Sequence, residues 1–320
     1  MTSVDSQVRK VRSTARQRFL DLWEISRPGL WVMSLVPFYV GYLLATKQLM
    51  FGQSTCFPPN SHCVPTIWPV LIGFAVWGPL VWLAVLAIND AYDLPGDLLN
   101  PRKNTPLTSG RLSESGAKIA AYATAGLAVL LSLAVRPGLA VAALGFVVYG
   151  WIYSVPPLKF KNRPGLDIIS NCLALGAFPL LGGWAVARPL TGFPWIVLAA
   201  GVLVDIALYM PTMIADYESD KASGYTTTAV RFGPNGAYLI GLVSMAGYWI
   251  ITIVLSARDE VFPHKILWIQ VVAAPILIWT YHRFLSKARE PLDILRGMLI
   301  VGRLFLVAFL AFALTYTGIL

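Results

Sequence analysis

Apolar residues run along this chain in nine long stretches separated by short polar connections, at roughly 28–46, 66–89, 115–135, 138–154, 167–187, 193–214, 235–256, 265–282 and 297–318. A bilayer core about 30 Å thick is crossed by about 20 mostly apolar helical residues. Each stretch therefore predicts a transmembrane helix, and no sheet is evident. Residues 1–26 are basic and polar and lack the apolar centre of a secretory signal. An amphipathic helix lying on the membrane surface is predicted around residues 12–23. The expectation is an all-α membrane protein with a cytosolic basic segment at 1–26 and a single nine-helix domain at 27–320.

Composition removes the alternatives. The chain is 57% apolar and only 13% charged, against about 45–50% and 25% in soluble domains, and its mean hydropathy is +0.65. That leaves too little charge to cover two soluble domains, and 12% aromatic residues exclude disorder. The net charge of +9 follows from topology. Lys and Arg in short loops mark the cytosolic side, and the loops divide 19 against 5, with Arg303 inside the last stretch. The N-terminus is then cytosolic, the C-terminus lies on the opposite side, and no nucleic acid partner is needed. Cys56 and Cys63 share an outer loop and can pair if that compartment is oxidising; Cys172 reads as a small core residue. His62, His264 and His282 carry no metal spacing.

The chain also echoes itself. Arg27-Pro28-Gly29-Leu30 opens the first stretch, Arg163-Pro164-Gly165-Leu166-Asp167-Ile168 the fifth, and Arg289-Glu290-Pro291-Leu292-Asp293-Ile294 precedes the ninth. Acidic clusters starting at Asn89 and Asp216 follow the second and sixth stretches, 127 residues apart. Two four-helix modules plus a ninth helix around a central cavity are expected.

Those clusters carry the candidate chemistry. Asp90, Asp93 and Asp97 are spaced i, i+3, i+7 on one helical face, and Asp216 and Asp220 are spaced i, i+4, with Glu218 on another face. Three anions at the negative end of a helix dipole are unfavourable unless a cation joins them. Carboxylates without His or Cys suit hard ions, and Mg²⁺ commonly shares its coordination with substrate phosphates. Asp90, Asp93, Asp97, Asp216 and Asp220 are thus candidate Mg²⁺ ligands around one diphosphate. Asn89, Arg102, Lys103, Lys159, Lys161 and Lys221 are candidates for the diphosphate itself.

The pattern Asn89-Asp90-x-x-Asp93-x-x-x-Asp97 with Asp216-x-x-x-Asp220-Lys221 and nine spans resembles the UbiA superfamily of intramembrane prenyltransferases. The segments Tyr153-Ser154-Val155-Pro156-Pro157-Leu158-Lys159-Phe160-Lys161 and Asp216 to Gly224, with Thr228 and Arg231-Phe232-Gly233, are similar to its chlorophyll-synthase-like branch. The resemblance implies that both aspartate motifs hold Mg²⁺ and diphosphate, with Lys159 and Lys161 as basic loop residues. Two departures stand out. Pro95-Gly96 is expected to break the helix and leave Asp97 on a turn. Thr105-Pro106 replaces an Arg-Pro pair, so Arg102 or Lys103 must supply that charge.

The implied reaction is Mg²⁺-dependent transfer of a prenyl group, geranylgeranyl for example, from its diphosphate to a lipophilic acceptor in the bilayer. A terpene cyclase of the same superfamily, in which the chain's own double bonds capture the cation, is the alternative. A secondary transporter fits less well, because its charges should lie near the bilayer midplane. Tyr92, Tyr149, Tyr153, Tyr209 and Tyr217 are candidates to face an allylic carbocation or equally to form an interfacial aromatic belt. Asp205, about three turns deeper than Asp216, is a candidate catalytic residue that stabilises a cation or accepts a proton, or else a protonated group hydrogen-bonded between helices. Asp167 and Asn171 either contact substrate or, for Asp167, cap the fifth helix.

Overall fold

The computed structural model describes residues 14–50, 54–57, 62–65, 67–98 and 103–320, with 54–57 and 62–65 as backbone only. Arg102 and the start of the expected surface helix lie outside them. The apolar stretches form helices α1 (Ala15–Ser26), α2 (Val32–Thr46), α3 (Ile67–Ala75), α4 (Val81–Asp97), α5 (Glu114–Val135), α6 (Pro137–Ser154), α7 (Leu166–Gly176), α8 (Phe178–Ala187), α9 (Trp195–Ala215), α10 (Tyr217–Ala222), α11 (Thr228–Ala257), α12 (Leu267–Leu285) and α13 (Pro291–Tyr316). Among the described residues, eight helical stretches are long and apolar enough to cross a membrane. The ninth is α2, whose 15 residues rise only about 22 Å. It is preceded by α1 and the short turn Pro28–Leu30, entered through Arg27 in the left-handed region (φ 47°), and this segment meets α2 at a bend of 61°.

One correction concerns sheet. The connection after α2 contains strands β1 (Ser54–Phe57) and β2 (His62–Pro65), paired antiparallel with Cys56 opposite Cys63.

The breaks inside the stretches have local causes. Between α3 and α4 the chain makes a wide turn over Val76–Leu80, where Gly78 leaves helical geometry and Pro79 brings no N–H. The Trp77 carbonyl freed there accepts a hydrogen bond from Ser34 Oγ of α2 (2.5 Å), and Trp82 Nε1 donates to the same oxygen (2.7 Å). One hydroxyl thus satisfies both sides of the break, which water cannot reach in a bilayer. The fifth stretch divides at Ala177, just before Pro179, into α7 and α8.

That division joins the two halves. A first core gathers side chains of α2, α4, α6 and α8 and reaches Val197, Leu255, Ile269 and Ala313 of α9, α11, α12 and α13, and a second gathers only the latter four helices. Within the fifth stretch, α8 packs on α2 while α7 packs on α9. The α2–α8 approach leaves no room at Gly41, where a Cβ would sit 2.8 Å from the Trp184 nitrogen. α1 buries Ile25 against Leu83, Ala87 and Ile88 of α4 and exposes Phe19, Leu20 and Trp23, the disposition of an interfacial helix. Arg111 clamps it, donating to Asp21 (2.7 Å) and Glu24 (2.8 Å).

Replacing Ser34 by Ala strands a buried carbonyl and a buried indole N–H. Thermal unfolding in detergent should show a loss of about 1–3 kcal/mol; an unchanged melting curve would remove Ser34 from this role.

Candidate active site

α4 places its three aspartates along one face, and each takes a base from a different part of the chain. Asp90, only 3% exposed, accepts from Arg27 Nη2 at 2.7 Å. Asp93 Oδ2 accepts from Lys161, while Lys159 lies 4.0 Å from Oδ1, an oxygen that is buried with no hydrogen-bond partner. Asp97 pairs with Lys103 at 3.1 Å. Asn89 donates to Ser154 Oγ at 2.9 Å.

Asp97 is not on a turn. α4 continues through Pro95 and Gly96 to Asp97, and the Leu98 N–H bonds the Leu94 carbonyl at 2.9 Å. Proline removes a single bond so close to the helix end, and the ladder closes beyond it. Of Arg102 and Lys103, the pair expected to supply the missing charge, Lys103 lies among the described residues and pairs with Asp97.

The second motif straddles a helix junction. Asp216 ends α9 and Asp220 lies one turn on in α10. Burial pushes both carboxyls above the usual carboxylate range; the Asp216 charge adds to the effect at Asp220, and Lys103 opposes it at Asp216. Burial pushes the Lys161 ammonium down, and Asp93 pulls it back.

Lys103 and Lys161 are ion-paired with the first motif, through Asp97 and Asp93, and their charges also bear on the second, Lys103 on Asp216 and Lys161 on Asp220. Tyr225 lies among them: its ring centroid is 6.0 Å from Lys159, and after burial the charges of Asp93, Asp97 and Asp220 raise its hydroxyl. Carboxylates from both halves of the bundle therefore meet one basic cap. Among the described residues, no three His, Cys, Asp or Glu close into a ready-made metal cage. An oxygen-only donor set with an orphaned Asp93 oxygen fits a hard ion held by one or two carboxylates and shared with phosphate.

Arg27, Tyr225 and Thr227, which bonds Asp220, are not among the residues that the sequence marks as candidates for the site. Arg27 had one available signal: its Arg-Pro-Gly-Leu motif is repeated at 163–166. The other candidates divide. Tyr153 and Tyr209 share a hydrogen bond between hydroxyls at 3.2 Å. Tyr149 packs on Phe178 (5.5 Å between rings), and Lys221 sits over the Tyr217 ring at 5.7 Å. Tyr92 is turned elsewhere, lying 4.6 Å from Lys118 in a groove of about 230 Å³ shared with Tyr122, Trp151 and Pro156. Asn171 Oδ1 and Asp205 Oδ2 are buried without partners. Asp167 is engaged inside the protein. It is fully buried and accepts from Thr228 N (2.6 Å), Thr228 Oγ1 (2.5 Å) and Ile168 N (2.8 Å), so it ties the start of α7 to the start of α11.

With this geometry in hand, the chain was compared with known proteins. A model described as the UbiA prenyltransferase family matches residues 34–300. A lycopene elongase/hydratase of Halobacterium salinarum is 29% identical over 270 residues, spanning 83% of this chain and 87% of that protein. A digeranylgeranylglyceryl phosphate synthase of Thermococcus sibiricus is 28% identical over 233 residues, spanning 73% and 74%. The structure of a UbiA homologue from Archaeoglobus fulgidus bound to GPP and Mg²⁺ superposes with a TM-score of 0.71 over 92% of this chain and 99% of that one. At 23% identity that likeness is one of fold.

Asp167→Asn weakens two hydrogen bonds to Thr228 in a buried site, and a loss of about 1–3 kcal/mol in thermal unfolding is expected. Combining it with Thr228→Val should cost less than the sum of the two single changes; strict additivity would mean that the pair does not act as one tie.

Proposed function

Because this chain belongs to the UbiA prenyltransferase family, we propose that it transfers a prenyl group from a prenyl diphosphate to a lipophilic acceptor inside the membrane, with Mg²⁺. It is an integral membrane protein. The observation that carries the proposal is the basic cluster of Lys103, Lys159 and Lys161 on Asp93 and Asp97, with an unpartnered buried Asp93 oxygen and with charges that also bear on Asp216 and Asp220. One anion with several oxygens bridges such a cap, and the relatives and the Archaeoglobus homologue support a prenyl diphosphate as that anion.

Asp90, Asp93, Asp97, Asp216 and Asp220 would hold Mg²⁺, which when bound neutralises diphosphate oxygens as a Lewis acid. The chain's own residues do the rest. Lys159, Lys161 and Lys103 bind the remaining phosphate oxygens and stabilise the negative charge that grows as the carbon–oxygen bond breaks. Asn89, held by Ser154, and Lys221, above Tyr217, complete the polar rim. The prenyl tail stays among apolar helix faces, where each buried CH₂ contributes about 0.8 kcal/mol. Tyr153 and Tyr209, on the inner side of that rim, face the developing carbocation and exclude water. The excess of Lys and Arg at the motif end supports a cytosolic cap and N-terminus, with the C-terminus on the opposite side.

Product analysis tests the proposal: dimethylallyl, geranyl and geranylgeranyl diphosphates with Mg²⁺, with and without lycopene, geranylgeranylglyceryl phosphate and phenolic acceptors. A prenylated acceptor is expected. A cyclic hydrocarbon made without acceptor would replace transfer by cyclisation, and no pyrophosphate release under any condition would overturn the reading. Asp90→Asn and Asp216→Asn should each lower pyrophosphate release by at least about 100-fold in folded protein. Protonated carboxyls hold metal poorly, and burial raises Asp216 and Asp220. Activity should therefore fall with decreasing pH while still above the ordinary carboxylate range; a flat profile down to that range would contradict it.

A further inference from the structure

Deep in the bundle lies a polar group that neither cap nor metal uses. Asp205 precedes Asp216 on α9 by 11 residues, about 16 Å along the helix. Its carboxylate meets the thiol of Cys172 on α7, and its Oδ2 is buried with no hydrogen-bond partner. At Gly176 the backbone of α7 comes directly against α9, and a Cβ there would lie 3.0 Å from the Asp205 Cβ. Asn171, next to Cys172 in sequence, carries a second buried oxygen without a partner. Tyr209 stands one turn above Asp205, its hydroxyl on that of Tyr153. Among the described residues no Lys, Arg or His pairs with Asp205.

A carboxylate placed in an apolar bundle without a cation is unfavourable unless something positive or acidic visits it. The diphosphate is an anion and belongs to the cap, three turns above. What comes within reach lower down is carbon: the prenyl chain and the acceptor. Once C1 of the prenyl cation bonds to a carbon–carbon double bond of an acceptor, the positive charge moves to the acceptor and acidifies its neighbouring C–H.

We infer that Asp205 is the base that ends the reaction. It takes the proton from that C–H bond onto Oδ2, while the bond's electron pair forms the new double bond and quenches the cation. Pyrophosphate has already left at the cap, and no further reagent is needed. Cys172 orients the carboxylate through its thiol, leaving Oδ2 free for the proton. This assignment rests on the proposed transfer reaction and adds the group that completes it.

The experiment separates ionisation from quenching. In Asp205→Asn, binding of the non-ionising analogue geranylgeranyl S-thiolodiphosphate should stay within about twofold of wild type. Pyrophosphate release from geranylgeranyl diphosphate should persist, while alkene product formed by proton loss falls per pyrophosphate by about 100-fold or more and products in which water has captured the cation rise. The acceptor used is lycopene or a phenol, whichever the wild type converts, since both are attacked at carbon; conversion of geranylgeranylglyceryl phosphate alone, which reacts at oxygen, would overturn the assignment. Asp205→Glu, which keeps a carboxylate, should retain coupling within about tenfold. Unchanged coupling in Asp205→Asn, equal loss of coupling in both variants, or loss of analogue binding with it would overturn the assignment. A wild type that releases no pyrophosphate would instead overturn the transfer reaction itself.

Discussion

Carboxylates at the end of an apolar bundle must find positive charge, and in this protein that requirement draws distant parts of the chain to one place. Water reaches the cap only partly, so Asp90, Asp93 and Asp97 each take a base from another segment: Arg27 from before the first span, Lys161 from the loop after α6, Lys103 from the loop after α4. Removing one member of such a pair leaves the other charge uncompensated, which is far worse than losing a surface ion pair. The pairs therefore fix how the start of the first span and the loops after α4 and α6 lie over the end of α4. In the proposed function an incoming ion and diphosphate would exchange partners with these pairs.

The helix breaks serve the same arrangement. Gly78 and Pro79 bend the stretch that carries the first motif, and Ser34 satisfies the freed carbonyl from α2. The division between α7 and α8 lets one stretch pack on both halves, while Asp167 locks the beginning of α7 to α11 beneath the second motif. Rigid supports of this kind hold the charged cap in place, and α1 presents exposed Phe19, Leu20 and Trp23 at the same end.

Much of this was legible in the sequence. Length and hydropathy alone located the long spans, because a bilayer leaves helices few options, and the scarcity of acids made the two aspartate groups conspicuous. Local patterns misled where tertiary contacts decide. Pro95 reads as a breaker, yet one lost hydrogen bond near a helix end is tolerated. Tyr92 shares a helix with Asp90 and Asp93 but points to the outer groove. Asp167 and Arg27 find their partners 61 and 63 residues away, and no periodicity encodes such a distance. The β1–β2 hairpin is too short to announce itself beside nine apolar runs.

The central claim is that aspartates from both halves act on one diphosphate through divalent metal. Mn²⁺ bound in place of Mg²⁺ with geranyl S-thiolodiphosphate tests it most directly, by counting bound ions and reading their magnetic coupling to phosphorus. Ions coupled to phosphorus should be found in the wild-type protein, with part of that signal lost in Asp93→Asn and another part in Asp220→Asn. A signal that survives both substitutions, or one that depends on a single motif, would contradict the shared site.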